Sequence, residues 1–109
     1  MNVAHTRTVR RLFKVLQTSK RSQTAMMVLK PGEESGPKSN EHPKSEQVLY
    51  VVEGQVVAEI GTERRTLKAG DSVIVPLRAR HRFVNKSKRP VVTFNVYAPP
   101  AYDEDDEEG

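Results

Sequence analysis

Apolar positions along this chain come in short bursts, not at helical spacing. Runs rich in Val, Ile, Leu and Tyr are broken every few residues by Gly, Pro or charged turns, the pattern of strands joined by tight connections. Eight strands are predicted, over 12–17, 24–29, 47–52, 55–60, 64–67, 72–75, 81–85 and 91–97. The Gly/Pro/Ser-rich stretch 31–38 reads as a loop. Residues 47–52 and 55–60 read as a hairpin closed at Glu53-Gly54. Pro76 stops its strand because it has no ladder N–H to give, and Pro99-Pro100 ends regular structure. Strands this short and numerous, with poor helical periodicity, predict an all-β sandwich or barrel. Closure into a barrel also hides strand edges that otherwise pair with other chains.

The 109 residues suit one domain. We assign 1–102 to a single barrel and 103–109 to an acidic tail that is expected to be disordered. Apolar residues at both faces of 12–16 and 25–29 suggest strands buried in a subunit interface, so a homodimer is expected. With no cysteine in the chain, disulfides, thiolate nucleophiles and zinc–thiolate sites are excluded. No apolar run approaches the roughly 18 residues that span a bilayer, and the basic start lacks an apolar leader segment. The expectation is a soluble, cytoplasmic protein without a membrane partner.

Charge changes the picture of the surface. All 18 basic residues lie before position 103, against eight of the 14 acidic ones; the other six acids occupy 103–108. The body therefore carries an excess of ten positive charges, which attracts anionic small molecules, acidic surfaces or nucleic acid. Nucleic acid ranks last, for no recognition motif or aromatic series accompanies the charge.

Candidate chemistry centres on histidine. His5 lies in a polar terminus and receives no role. His42 ends the Gly/Pro-rich loop just before a strand, and His81 opens another. Residues two apart in a strand share a face, so Gln47, Leu49 and Val51 go together, as do His81, Phe83 and Asn85. If both faces point inward, two imidazoles, an amide and an aromatic ring meet at one barrel mouth. That set takes a divalent ion such as Zn, Ni, Mn or Fe; alternatively the same side chains are metal-free and satisfy one another by hydrogen bonds. Arg78, Arg80 and Arg82 bracket His81. They form a solvated basic rim, or else Arg78 or Arg80 curls over the mouth, with Phe83 as its wall, to grip a carboxylate or phosphate.

The spacing of these residues resembles the two signatures of the cupin family, G-x5-H-x-H-x3,4-E-x6-G and G-x5-P-x-G-x2-H-x3-N. Gly70, Pro76, His81 and Asn85 match the second, with Arg78 in place of its second Gly. The first is matched in frame, with Asn40, His42, Gln47 and Gly54 at its four later positions. The stretch from Glu41 to Gly54, with Tyr97-Ala98-Pro99-Pro100, is also similar to small bacterial cupins described as mannose-6-phosphate isomerase-like, which commonly carry Gln at the third ligand position. The resemblance implies a double-stranded β-helix (jelly-roll) barrel, commonly dimeric, with one divalent metal on Asn40, His42, Gln47 and His81. Two imidazoles and two amides supply no negative charge; Glu41, in the loop, is the carboxylate placed to restore it. The function implied is a pocket for a divalent metal and a small anionic ligand. The alternative is a metal-dependent isomerase or oxygenase acting on a sugar-like or carboxylate substrate, for which no acid–base residue beyond Glu41 is visible.

Overall fold

Alternation of buried and exposed side chains builds the strands. In Glu46–Glu53 the buried positions are Gln47, Leu49 and Val51, with exposed residues between them, the two-residue period of a half-buried strand. The computed structural model describes residues 1–7, 9 and 12–103. Within these lie β1 (Phe13–Thr18), β2 (Gln23–Leu29), β3 (Glu46–Glu53), β4 (Gln55–Ile60), β5 (Glu63–Lys68), β6 (Ser72–Val75), β7 (His81–Val84) and β8 (Val91–Ala98). The predicted tail beyond Asp103 lies outside the described residues. Among the described residues no helix is long and apolar enough to cross a membrane.

The strands form two sheets of antiparallel pairs, one ordered β1-β2-β8-β3-β6 and one β5-β4-β7. Their facing sides bury Leu29, Leu49, Val51, Val56, Val75, Phe83 and Val91, each at most 1% exposed. The all-β expectation is met, as a jelly roll of two packed sheets.

Two expectations about connections are corrected. Strands β3 and β4 are not a hairpin: β3 pairs with β6 and β8, and β4 with β5 and β7. Gly54, at φ 84°, passes the chain from one sheet to the other. The hairpin is β4–β5, closed at Gly61-Thr62 where Ile60 faces Glu63. The stretch 31–38 is not a plain loop either. Glu34 and Ser39 bridge Val84 and His81, and Ser35 N donates to Phe83 O at 2.9 Å. This segment covers the edge of β7 that β4 leaves open, because backbone groups buried there need partners.

β2 is apolar on both faces for a reason inside the chain. Ala25, Met27 and Leu29 face the core, while Met26 and Val28 line a cleft with Thr6, Arg7 and Val9 of the N-terminal segment. That coverage removes the interface argument drawn from this strand.

Asn85 falls just past β7, one residue beyond its last member. Its Nδ2 donates to Leu29 O (2.9 Å) and Arg89 O (2.7 Å), and its Oδ1 accepts from Ser87 N and Ser87 Oγ. The fully buried amide ties the end of β7 to β2 and to the turn before β8.

Candidate functional site

A cavity of about 140 Å³ opens between the sheets near the ends of β3, β7 and β8. Gln47 on β3 and His81 on β7 point into it from facing sheets, and His42 reaches it from the loop before β3. All three are buried. The imidazole centroids of His42 and His81 lie 4.6 Å apart, although the residues are far apart in sequence. Phe83 and Glu41 also line the space.

Each imidazole is oriented by a backbone carbonyl. His42 Nδ1 lies 3.1 Å from Ser45 O, and His81 Nδ1 lies 3.0 Å from Ala79 O. A carbonyl only accepts, so Nδ1 carries the proton in both rings and Nε2 is left for another partner. Burial holds the His81 imidazolium below its usual range; His42 nearby adds to this, and the Ala79 carbonyl and Glu41 oppose it.

Gln47 is oriented by a chain of hydrogen bonds starting at the backbone. The Thr93 hydroxyl donates to Met27 O at 2.8 Å, so its oxygen accepts from Asn95 Nδ2 at 3.1 Å. Asn95 Oδ1 then accepts from Gln47 Nε2 at 2.8 Å, which leaves Gln47 Oε1 facing His42 Nε2 at 2.9 Å. Reversing the chain sets Asn95 Oδ1 against the Ala25 carbonyl, which Nδ2 now faces at 3.5 Å. The amide therefore enters the cavity oxygen first.

With Nδ1 protonated, a neutral His42 presents a lone pair to that oxygen. Two acceptors 2.9 Å apart need a positive charge shared between them: a second proton on His42, or a cation bound by both. Donors at about 2.1 Å from one ion and at right angles to each other lie about 3 Å apart, so the pair fits a cation. Nδ1 anchored on a backbone carbonyl is also the usual support of a metal-bound histidine. The donor set is two imidazole nitrogens and an amide oxygen, with the Glu41 carboxylate at the border. Among the described residues no group of three or more His, Asp or Glu converges as a metal cluster.

The other predicted residues are placed differently. Asn40 is exposed and outside the cavity lining; Glu41 takes the side facing the cavity, its Oε1 3.1 Å from where a Cβ on Gly36 would lie. Arg78 and Arg80 are exposed and line no part of the cavity. Arg80 donates to Lys38 O at 2.9 Å. Arg78 sits at φ 64°, in the left-handed region, which explains why a Gly stands there in the family signature. Arg82 is drawn to the outer side of its sheet, where it forks onto both oxygens of Glu59 at 3.0 Å. That contact holds the Glu59 carboxyl below its usual range.

Sequence reasoning missed Thr93, Asn95, Tyr97 and Tyr102. Tyr97 lies edge-on to His42 with centroids 5.1 Å apart, and burial, chiefly, pushes its phenol well above the usual range. Alternation alone points the other way: Val92, Phe94 and Val96 form the more apolar face of β8, yet Thr93, Asn95 and Tyr97 share the buried face with Val91.

A model of the cupin domain matches residues 25–97. The polyketide synthase CurC of Streptomyces cyaneus is 35% identical over 60 residues, which are 55% of this chain and 38% of that protein. The chain thus spans well under half of that relative's length. TT1209 from Thermus thermophilus is 28% identical, covering 91% of this chain and 98% of its own, with a TM-score of 0.81. BH2720 from Bacillus halodurans, 24% identical over 88% of this chain and 76% of its own, has a TM-score of 0.82 and shows the fold alone. Fold, signature spacing and domain match agree: the chain belongs to the cupin family.

Proposed function

We propose that this cupin is a ligand-binding module whose cavity holds one divalent metal ion on His42, Gln47 and His81, bordered by Glu41, and through it a small anionic ligand. The observation that carries this reading is the opposition of Gln47 Oε1 and His42 Nε2 at 2.9 Å, which a shared cation resolves. A bound divalent ion supplies Lewis acidity and an attachment point for a carboxylate or phosphate oxygen. The chain's own contribution is orientation: two carbonyls set the rings, and Asn95 sets the amide. Binding is favoured over turnover because the three central donors are neutral and Glu41 is the one carboxylate among the described residues bordering the cavity. A metal-free reading, in which a protonated His42 itself holds the anion, draws on the lack of a clustered carboxylate set among the described residues.

Elemental analysis of protein purified without an affinity tag decides between them. About one equivalent of Zn, Ni, Mn or Fe is expected, lost in the His42→Ala, His81→Ala double variant. A ten-fold excess of metal over its Kd should raise stability by roughly 1.4 kcal/mol. Metal-free protein with no thermal shift on adding these ions overturns the metal reading.

A further inference from the structure

The chain does not simply leave the barrel after β8. Gln23, 1% exposed on β2, binds the backbone that follows. Its Oε1 accepts from Ala101 N at 3.1 Å and Tyr102 N at 3.0 Å, and its Nε2 donates to Tyr102 O at 2.6 Å and to Thr18 Oγ1 at 2.9 Å. The two donors and two acceptor sites of the amide are all used. Its orientation is fixed, since a flip sets N–H against N–H and carbonyl against carbonyl.

This grip delivers the Tyr102 ring to the cavity. The ring centroid lies 4.9 Å from that of Phe13 and 5.1 Å from that of Tyr97, and all three rings line the space beside His42. The backbone that carries this ring is tied to the barrel by a buried glutamine.

Size makes the arrangement matter. At about 140 Å³ the cavity is smaller than pockets for small molecules, which usually run to roughly 300–1,000 Å³. A ligand of more than a few heavy atoms is taken wholly inside only if one wall is displaced. The β-strand walls are held by continuous ladders; at the strap the backbone of 101–102 is bound by the Gln23 side chain and the Tyr102 ring packs on Phe13 and Tyr97. The strap is the wall that opens at least cost.

We propose that residues 101–103 are a latched wall of the cavity, with Gln23 as the latch and Tyr102 as the panel that limits what the cavity admits. The proposal rests on this cavity being the ligand site, but not on the metal. Gln23 acts as a positioning residue, through the strap, and Tyr102 determines size.

The test is carbethoxylation of histidines by diethyl pyrocarbonate on the metal-free full chain, resolved by site with mass spectrometry. Exposed His5 serves as the internal reference. In the wild type, His42 and His81 should react much more slowly than His5. In Tyr102→Ala and in Gln23→Leu their rates relative to His5 should rise about ten-fold or more, the factor that corresponds to about 1.4 kcal/mol of lost closure. Tyr102→Phe, which keeps the ring and the backbone latch, should stay within about two-fold of wild type. Unchanged relative rates in Tyr102→Ala overturn the proposal, and that variant touches no latch atom should Gln23→Leu fail to fold. Because no metal is present, a negative elemental analysis leaves this result standing.

Discussion

Gln47 shows how much of the site is decided by single atoms on its far side. Its oxygen faces His42 only because Asn95 accepts from its nitrogen, and Asn95 does so only because Thr93 and Met27 O fix the opposite end. All of these side chains are buried, so a broken link leaves a donor without water to replace its partner. Asn95→Leu should therefore cost roughly 2–4 kcal/mol and Thr93→Val about 1 kcal/mol or more. In a double-mutant cycle the pair should couple by about 0.5–3 kcal/mol, measured by urea denaturation; strictly additive losses would show that no chain exists. The two histidines, Gln47 and Asn85 could be placed from the sequence because signature spacing and strand alternation both pointed at them. Asn95 could not, because a polar residue within a strand ordinarily reads as the solvent side. Arg78 misled for a related reason: its charge suggested a grip on ligand, whereas its backbone conformation, which sequence does not display, is what the position demands.

Connections between elements carried less signal than the elements themselves. The eight strands lie close to their predicted spans because most follow a two-residue alternation or a short apolar run, while β5, with Leu67 as its one buried residue, is marked chiefly by the turns on either side. Which strand pairs with which depends on turns, and Glu53-Gly54 looks like a hairpin closure until the crossing is seen. At Gly54 the backbone has φ 84°, and an added Cβ would lie 2.6 Å from Pro90 O, inside any tolerable contact. Gly32 has the same φ with nothing within 4 Å of such a Cβ. The two separate backbone strain from collision. Gly32→Ala should cost about 1 kcal/mol from the left-handed conformation alone, whereas Gly54→Ala should cost clearly more, roughly 3 kcal/mol or above, because the turn before β8 must move as well. With about 4–8 °C per kcal/mol in a domain of this size, thermal unfolding resolves the difference. Equal losses would mean that Pro90 gives way freely and that the crossing is not pinned there.

The molecule as a whole buries a set of polar side chains between its sheets and shows apolar ones on one large face. On the outer side of the five-stranded sheet, Val96 lies between Val48 and Thr24 across the strands, with Ile74 beyond Val48; Phe94 lies between Tyr50 and Met26. The N-terminal segment covers the β2 side, burying Met26 and Val28. On the β3 and β6 side Val48, Tyr50, Val52 and Ile74 remain 39–57% exposed. Contiguous apolar surface of this kind marks an interaction site. No charged residue interrupts the rows from Ile74 to Val96 and from Tyr50 to Phe94. A second copy related by a two-fold axis therefore meets the patch without opposing like charges, and two sheets packed face to face about 10 Å apart bury both sets of side chains. We predict a homodimer through β3, β6 and β8; of the N-terminal strands that the sequence suggested, β2 has its outer face covered within the chain. Sedimentation should return about twice the 12.3 kDa chain mass at concentrations of tens of micromolar, in line with interfaces near about 800 Å² per partner. Val48→Lys with Ile74→Lys should give a folded monomer, because lysines at the face meet their own copies across the axis. A wild-type monomer, or a dimer indifferent to both substitutions, would place the contact elsewhere.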